Sequence, residues 1–266
     1  MLSHRYIFIA GLHRTGTSLL AQLMGQHPQI TSISGAPVPE NEGCYLQGAI
    51  PHTARDGIPG KYAIDPRQYH TEESALNTWD IRMRLEAEWS VWFDPAKPWR
   101  LEKSPVNLTR MRLLQGLFPM AHFIVITRHP AAMAQALRKW DDAPVQEHED
   151  YGIAAYERAL NDMRYLHHAV CLRYEDFIAR PQAILRGLAT FLDLNTPFET
   201  SALHNTLRNG NADYPRIADS VARFEALGYE AGGEIAPFEP IVQHPLRAHR
   251  EGAQGALRGT GPTVLK

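Results

Sequence analysis

Tyr6-Ile7-Phe8-Ile9-Ala10-Gly11-Leu12-His13-Arg14-Thr15-Gly16-Thr17-Ser18-Leu19-Leu20 is the stretch that decides the fold. Tyr6 to Ala10 is a continuous apolar run that stops at a glycine, the pattern of a strand buried on both faces. Leu19, Leu20, Leu23 and Met24 share one helical face, and Gly25 with His27-Pro28 ends that helix. Between strand and helix lies the loop Gly11 to Ser18. Amides at a helix start have no intrahelical acceptor, and the helix dipole adds positive potential, so such a loop holds an anion. Gly16 lets the backbone come close, Thr15, Thr17 and Ser18 supply hydroxyls, and Arg14 is the cation. The spacing satisfies G-x-x-x-x-G-x-S, yet Thr17 stands where a Walker A loop carries its lysine. A plain tight turn between strand and helix is the competing reading.

Outward from this loop the chain first loses regularity. Residues 28–75 are rich in Gly, Pro and polar residues, and a long irregular segment inside a domain is usually functional or mobile. An α/β rhythm then follows. Residues 78–93 read as a helix and Trp99 to Lys103 as a strand. Ser104-Pro105 reads as the cap and first turn of a helix reaching Leu117. His122-Phe-Ile-Val-Ile-Thr127 is the clearest central strand, broken by Arg128-His129-Pro130, with a helix on to Trp140. Residues 141–150 read as an acidic loop, 153–168 as a helix, Ala169 to Arg173 as a strand and 181–192 as a helix. Strands alternating with helices predict a three-layer α/β/α domain around a parallel sheet.

The 266 residues suit one elaborated α/β domain. A net charge of −2 lacks the basic excess that general binding to nucleic acid or membrane requires. Cys44 and Cys171 are too few for a disulfide framework or a zinc site, which favours a reduced interior. No run approaches a membrane span, and the N-terminal apolar run is too short for a signal peptide, so a cytoplasmic protein is expected.

His13 to Leu20 resembles the 5′-phosphosulfate loop of the sulfotransferases that use 3′-phosphoadenosine 5′-phosphosulfate (PAPS). Phe123 to Pro130 is similar to that family's second nucleotide motif, a strand ending in a 3′-phosphate-binding arginine, here Arg128. Leu172-Arg-Tyr174-Glu-Asp-Phe177 is similar to its later strand-end element, and Ala222 to Glu230 to a closing helix of the bacterial branch. The resemblance runs over roughly residues 5–230. It implies a P-loop NTPase-like sulfotransferase domain over 1–230, with an insertion at 28–75 and a tail, 231–266, that either wraps the surface or is partly disordered.

It also implies sulfuryl transfer from PAPS to an acceptor hydroxyl, giving PAP and needing no metal. Arg14 is then the residue on the bridging oxygen. Arg14, Thr15, Gly16, Thr17, Ser18, Arg128 and Tyr174 hold the nucleotide, and Lys103 lies near the sulfuryl oxygens. Two departures stand out. Ala136 occupies the position where the family usually has a 3′-phosphate serine, leaving Gln135 or Arg138 as substitutes. The Lys-x-His of the eukaryotic cytosolic branch is here Lys103-Ser104-Pro105, so the base comes from elsewhere.

Related branches place a base glutamate in the region of Pro39-Glu40-Asn41-Glu42-Gly43. Glu40 and Glu42 are both candidates, with Glu42 favoured because Gly43 would allow close approach of substrate. His13, His52 and His70 rank lower. Trp79, Trp89, Trp92 and Trp99 offer stacking surfaces for an acceptor or are core. The acidic residues of 141–150 read as a solvated loop rather than a metal site. Arg247, His249 and Arg250 are further cations that could close over a 3′-phosphate, a weaker reading. A phosphotransferase on the same fold and a PAP- or anion-binding protein without turnover remain alternatives. Acceptor identity and oligomeric state are not readable.

Overall fold

The computed structural model describes residues 4–52, 59–199, 207 and 209–258. Residues 53–58 of the irregular segment and 259–266 of the tail therefore lie outside the described residues. Among the described residues six strands form one sheet: β1 (Arg5–Ala10), β2 (Ile30–Ser32), β3 (Trp99–Lys103), β4 (His122–Thr127), β5 (Ala169–Arg173) and β6 (Val242–Gln243). Their order is β2-β3-β1-β4-β5-β6. The first five are mutually parallel; β6 runs antiparallel to β5, pairing Val242 with Val170 and Gln243 with Ala169. The expected all-parallel sheet thus gains an antiparallel edge.

Eight α-helices lie among the described residues: α1 (Thr17–Met24), α2 (Trp79–Ser90), α3 (Met111–Leu117), α4 (Pro130–Leu137), α5 (Val145–Met163), α6 (Tyr174–Ala179), α7 (Pro181–Phe191) and α8 (Arg247–Leu257). The period-two alternation of β1 sorts them into layers. Tyr6, Phe8 and Ala10 face the core shared with α2, α3 and α5. Ile7 and Ile9 face the core shared with α1, α7 and α8. Both faces of the central strands are covered, which is why those strands read as unbroken apolar runs.

Several boundaries differ from the sequence reading. Residues 105–117 are not one helix. A 3₁₀ segment, Pro105–Thr109, comes first, Arg110 breaks the geometry, and α3 follows. Ser104 does not cap it; its hydroxyl donates to Glu102 and accepts from the Cys44 amide. The acidic stretch 145–150 is the first part of α5, where His148 and Glu149 are buried. Ala222 to Glu230 is no helix either. It is a tight turn in which Phe224 and Tyr229 bridge, with a 3₁₀ turn at Glu225–Leu227. Beyond residue 231, β6 joins the sheet and α8 packs on α7 through Ala253 and Leu257, with Leu257 against Gly187.

Candidate active site

The chain direction of α1 and β2 carries them to one side of β1, whereas β5 follows β4 to the other side. The carboxyl ends of β1 and β4 therefore flank the topological switch point where α/β sheets open a crevice. A cleft of about 390 Å³ lies there, lined among others by Arg14, Thr17, Ser18, Glu42, Arg128 and Tyr174.

The loop after β1 is built around two close approaches. At Gly11 a Cβ would sit 2.5 Å from the Ile126 carbonyl oxygen, so no side chain fits. At Gly16 φ is 98°, and Tyr174 packs against the position a Cβ would take. Arg14 also has positive φ, 70°; its carbonyl accepts from Arg128 Nη1 at 2.9 Å while its side chain is exposed at the cleft. The first α1 bond runs from the Leu20 amide to the Gly16 carbonyl, 3.0 Å. The amides of Thr17, Ser18 and Leu19 thus open the helix toward the cleft. Thr15 is turned the other way: it is buried, and its hydroxyl donates to the Leu12 carbonyl at 2.7 Å. Tyr62 braces the loop from outside, with its hydroxyl 2.6 Å from the Gly11 carbonyl oxygen and 3.0 Å from that of Pro105.

Arg128 directly follows β4 and is 5% exposed. Its Nε donates to Asn211 Oδ1 at 2.6 Å, and its guanidinium stacks 4.6 Å from the Tyr174 ring centroid. Nη2 is buried and has no partner among the described residues. Tyr174 at the end of β5 accepts the Gly210 amide through its hydroxyl, 3.0 Å, which ties the turn 209–214 over this arginine. Beside it, the Nδ1 of His129 caps Ala131 while its other ring nitrogen reaches the Glu230 carbonyl, so the start of α4 is fixed.

Glu42 and Lys103 form a buried ion pair, Nζ to Oε1 3.1 Å, with side chains 7% and 4% exposed. Burial pushes the Glu42 carboxyl above the ordinary carboxylate range, although Lys103 pulls the other way. Lys103 therefore serves Glu42 directly. Glu40 is exposed on a left-handed turn, φ 52°, at the rim between this cleft and a second hollow of about 440 Å³. Ser18, Gln22, Gln26, Ser32, Asn41 and Lys103 line that hollow.

Gly43 does not open space for substrate. A Cβ there would lie 2.6 Å from the Glu102 side chain, and its amide donates to Glu102 Oε1 at 3.0 Å. Glu102 is fully buried in β3 and also accepts from Ser104 and from Asn107 Nδ2. Burial raises its carboxyl pKa, and these donors oppose the shift. It fixes the 42–44 turn, and with it Glu42.

The remaining candidates scatter. His13 borders the cleft; burial, then His52 and the Lys103 and Arg14 charges, lower its pKa to about 4. His52 sits beside Gln68 and His70 beside Ser74. Gln135 faces another groove with Glu149 and Arg216, and Arg138 does not border the cleft; Lys139 and Trp140 do. Trp89 and Trp99 are core, Trp92 packs on it and Trp79 lies exposed on α2, so Trp140 is the tryptophan at the cleft. Arg247 pairs with Glu251, and His249 donates through Nδ1 to the Thr190 carbonyl, both on the α7–α8 side. Asn211, Tyr214, Glu102 and Tyr62 are site residues that sequence reasoning missed. The Asn209-Gly210-Asn211 run signals a turn but not that it folds onto Arg128.

The chain belongs to the sulfotransferase family, whose family model matches residues 6–198. Among solved structures it is similar to the sulfotransferase domain from the curacin biosynthetic pathway (16% identity, 79% of this chain and 80% of that one, TM-score 0.50). Another similar structure is a sulfotransferase from Alicyclobacillus acidocaldarius (20% identity, 75% and 85%, TM-score 0.46). At 16% identity the likeness to the curacin-pathway domain speaks to the fold alone. A comparison with curated protein sequences gave no match. No helix among the described residues is long and apolar enough to cross a membrane.

Proposed function

We propose that this chain transfers a sulfuryl group from PAPS to an acceptor hydroxyl, with Glu42 as the general base. The observation that carries the reading is Arg128. Its guanidinium is buried, held on two edges, and has one unpartnered nitrogen at a cleft whose opposite wall is a helix N-terminus. A buried cation with a spare donor calls for an anion, and a second anion site faces it at the loop after β1. Two anion sites across one cleft fit a nucleotide with separate 3′ and 5′ acidic groups, and Tyr174, stacked on Arg128, offers an aromatic wall.

PAPS, when bound, supplies an activated sulfuryl group. Arg128 holds the 3′-phosphate. The amides of Thr17 and Ser18, with the Ser18 hydroxyl, hold the 5′ end, and the exposed Arg14 guanidinium neutralises charge on the leaving oxygen. The buried Thr15 hydroxyl instead fixes the loop shape. The acceptor enters by the neighbouring hollow, where Ser18, Gln22, Gln26, Ser32 and Asn41 offer polar groups to a hydroxylated molecule. Glu42 takes the acceptor proton as the new oxygen–sulfur bond forms and the bond from sulfur to the 5′-phosphate oxygen breaks. Lys103 favours the ionised form of Glu42, against the effect of its burial.

Calorimetric titration with PAP, beside AMP and ATP with and without magnesium, tests the reading. Magnesium-independent PAP binding far tighter than AMP binding is expected. Magnesium-dependent ATP binding with PAP ignored would move the protein to the phosphotransferases. PAP binding without turnover on any hydroxylated acceptor would leave a binding protein.

A further inference from the structure

The opposite end of the sheet carries a second constellation that sulfuryl transfer does not use. His122 is the first residue of β4, His168 directly precedes β5, and His244 directly follows β6. Because β6 is antiparallel, all three arrive at the same end. The His122 and His168 rings stack 4.1 Å apart, and that of His244 lies 4.8 Å from His168. All three are buried, and one ligand nitrogen from each lies within 4.8 Å of the other two.

From this geometry we propose that His122, His168 and His244 form a structural transition-metal site, with zinc the best match. Three neutral imidazoles and no thiolate suit zinc, copper or nickel, and a nitrogen set of this kind suits tetrahedral zinc. The orientation of the rings agrees. His122 Nδ1 lies 3.3 Å from the Met120 carbonyl oxygen, which leaves Nε2 for a ligand bond. His244 Nδ1 is engaged by Leu246, leaving its Nε2. His168 Nδ1 is buried with no partner among the described residues, the one polar atom here that a metal would satisfy. Zinc–nitrogen bonds of about 2.0–2.1 Å put tetrahedral ligands about 3.3 Å apart. The rings close that gap by rotating about χ2, a soft torsion in histidine.

His249 is placed to be the fourth ligand, with water as the substitute. Its ring stacks 4.9 Å from His244, and its Nδ1 meets the Thr190 carbonyl oxygen at 2.8 Å, the backbone anchor typical of metal-bound histidines. Burial lowers the pKa of His122, His168 and His244, and neighbouring histidines add to the shift. Arg5, whose guanidinium lies over the Trp99 ring, opposes a cation here, and Asp193 offsets it. The metal would join the two-residue strand β6 and α8 to the starts of β4 and β5.

The test is a Co²⁺ titration of the full chain, purified without a histidine tag and freed of metal by chelation. One equivalent of cobalt with the visible absorption of a tetrahedral nitrogen site is expected. Zinc should displace it, and zinc but not magnesium should raise Tm. His168→Ala and His244→Gln should each raise the cobalt Kd more than tenfold. Absence of the cobalt bands in the wild-type chain overturns the proposal, and needs no variant to fold. So do bands that persist in both variants, which would place the metal elsewhere.

Discussion

Glu42→Gln removes the buried carboxylate that faces the cleft while keeping its shape. Its consequences follow from two opposing terms. At 3.1 Å, and at an effective dielectric of about 20, the attraction between Glu42 and Lys103 is about 5 kcal/mol. Taking each ion out of water costs several kcal/mol. The second term wins at Glu42, because its pKa stands above the ordinary 4.5. A base with a raised pKa is a stronger proton acceptor.

Loss of a general base lowers turnover by about 10²–10⁴-fold. We expect Glu42→Gln to fall in that range with the KM for PAPS little changed, measured as PAP release with a panel of sugars and phenols as acceptors. The wild-type rate should fall as pH drops through the raised Glu42 pKa, and the variant should lack that acidic limb. The sign for stability is opposite. A raised folded-state pKa means that protonation favours the fold, so the contribution of Glu42 is full below its unfolded-state pKa and lost as pH rises through the folded one. Activity at low pH should therefore disappear before the fold does at this group. The variant leaves Lys103 without its counter-charge but also removes the desolvation cost that raises the Glu42 pKa, so only a small change in stability is expected. A Glu42→Gln enzyme within tenfold of wild type, or one that keeps the acidic limb, would refute the assignment. Glu40→Gln, an exposed position, serves as the comparison.

Three further outcomes are expected. Arg14→Ala should cut kcat by about 10²–10³-fold with an unchanged circular dichroism spectrum, because its side chain is exposed and adds nothing to the core. Arg128→Ala should weaken PAP binding by about 30- to 1000-fold, corresponding to about 2–4 kcal/mol, while AMP affinity moves less than threefold; equal losses for both ligands would contradict a 3′-phosphate role. Glu102→Ala strips the acceptor from the Gly43 amide and from Asn107, and should cost about 2–3 kcal/mol in denaturant unfolding together with a fall in kcat.

The central sheet was legible because its strands are buried on both faces. Phe8, Ile124 and Val125 leave no polar position to confuse the pattern. The loop after β1 was legible because glycines at 11 and 16 are forced by close approach and positive φ. Glu102 was not, since a carboxylate in a short strand reads as a surface residue until Gly43, Ser104 and Asn107 are seen around it. The start of α5 was hidden by its charge, because the buried His148 and Glu149 count as polar in any periodicity. α8 was hidden by Gly252 and Gly255, each costing about 1 kcal/mol of helix propensity, which packing on α7 offsets. The place of Arg128 at the cleft was legible from its strand end. Its partner Asn211, 83 residues away, was not, because nothing local in the sequence joins them.

The antiparallel pairing of β6 with β5 has a consequence for handling the protein. β5 is Ala169-Val-Cys-Leu-Arg173, apolar and extended, and its outer backbone edge is covered by a partner of two residues, with the Cys171 amide also donating to the Ile241 carbonyl. A chain cut before residue 240 uncovers an aliphatic strand edge, the kind of template on which sheets of separate molecules join. Truncation from the C-terminus is then expected to yield aggregates before it yields a smaller working domain.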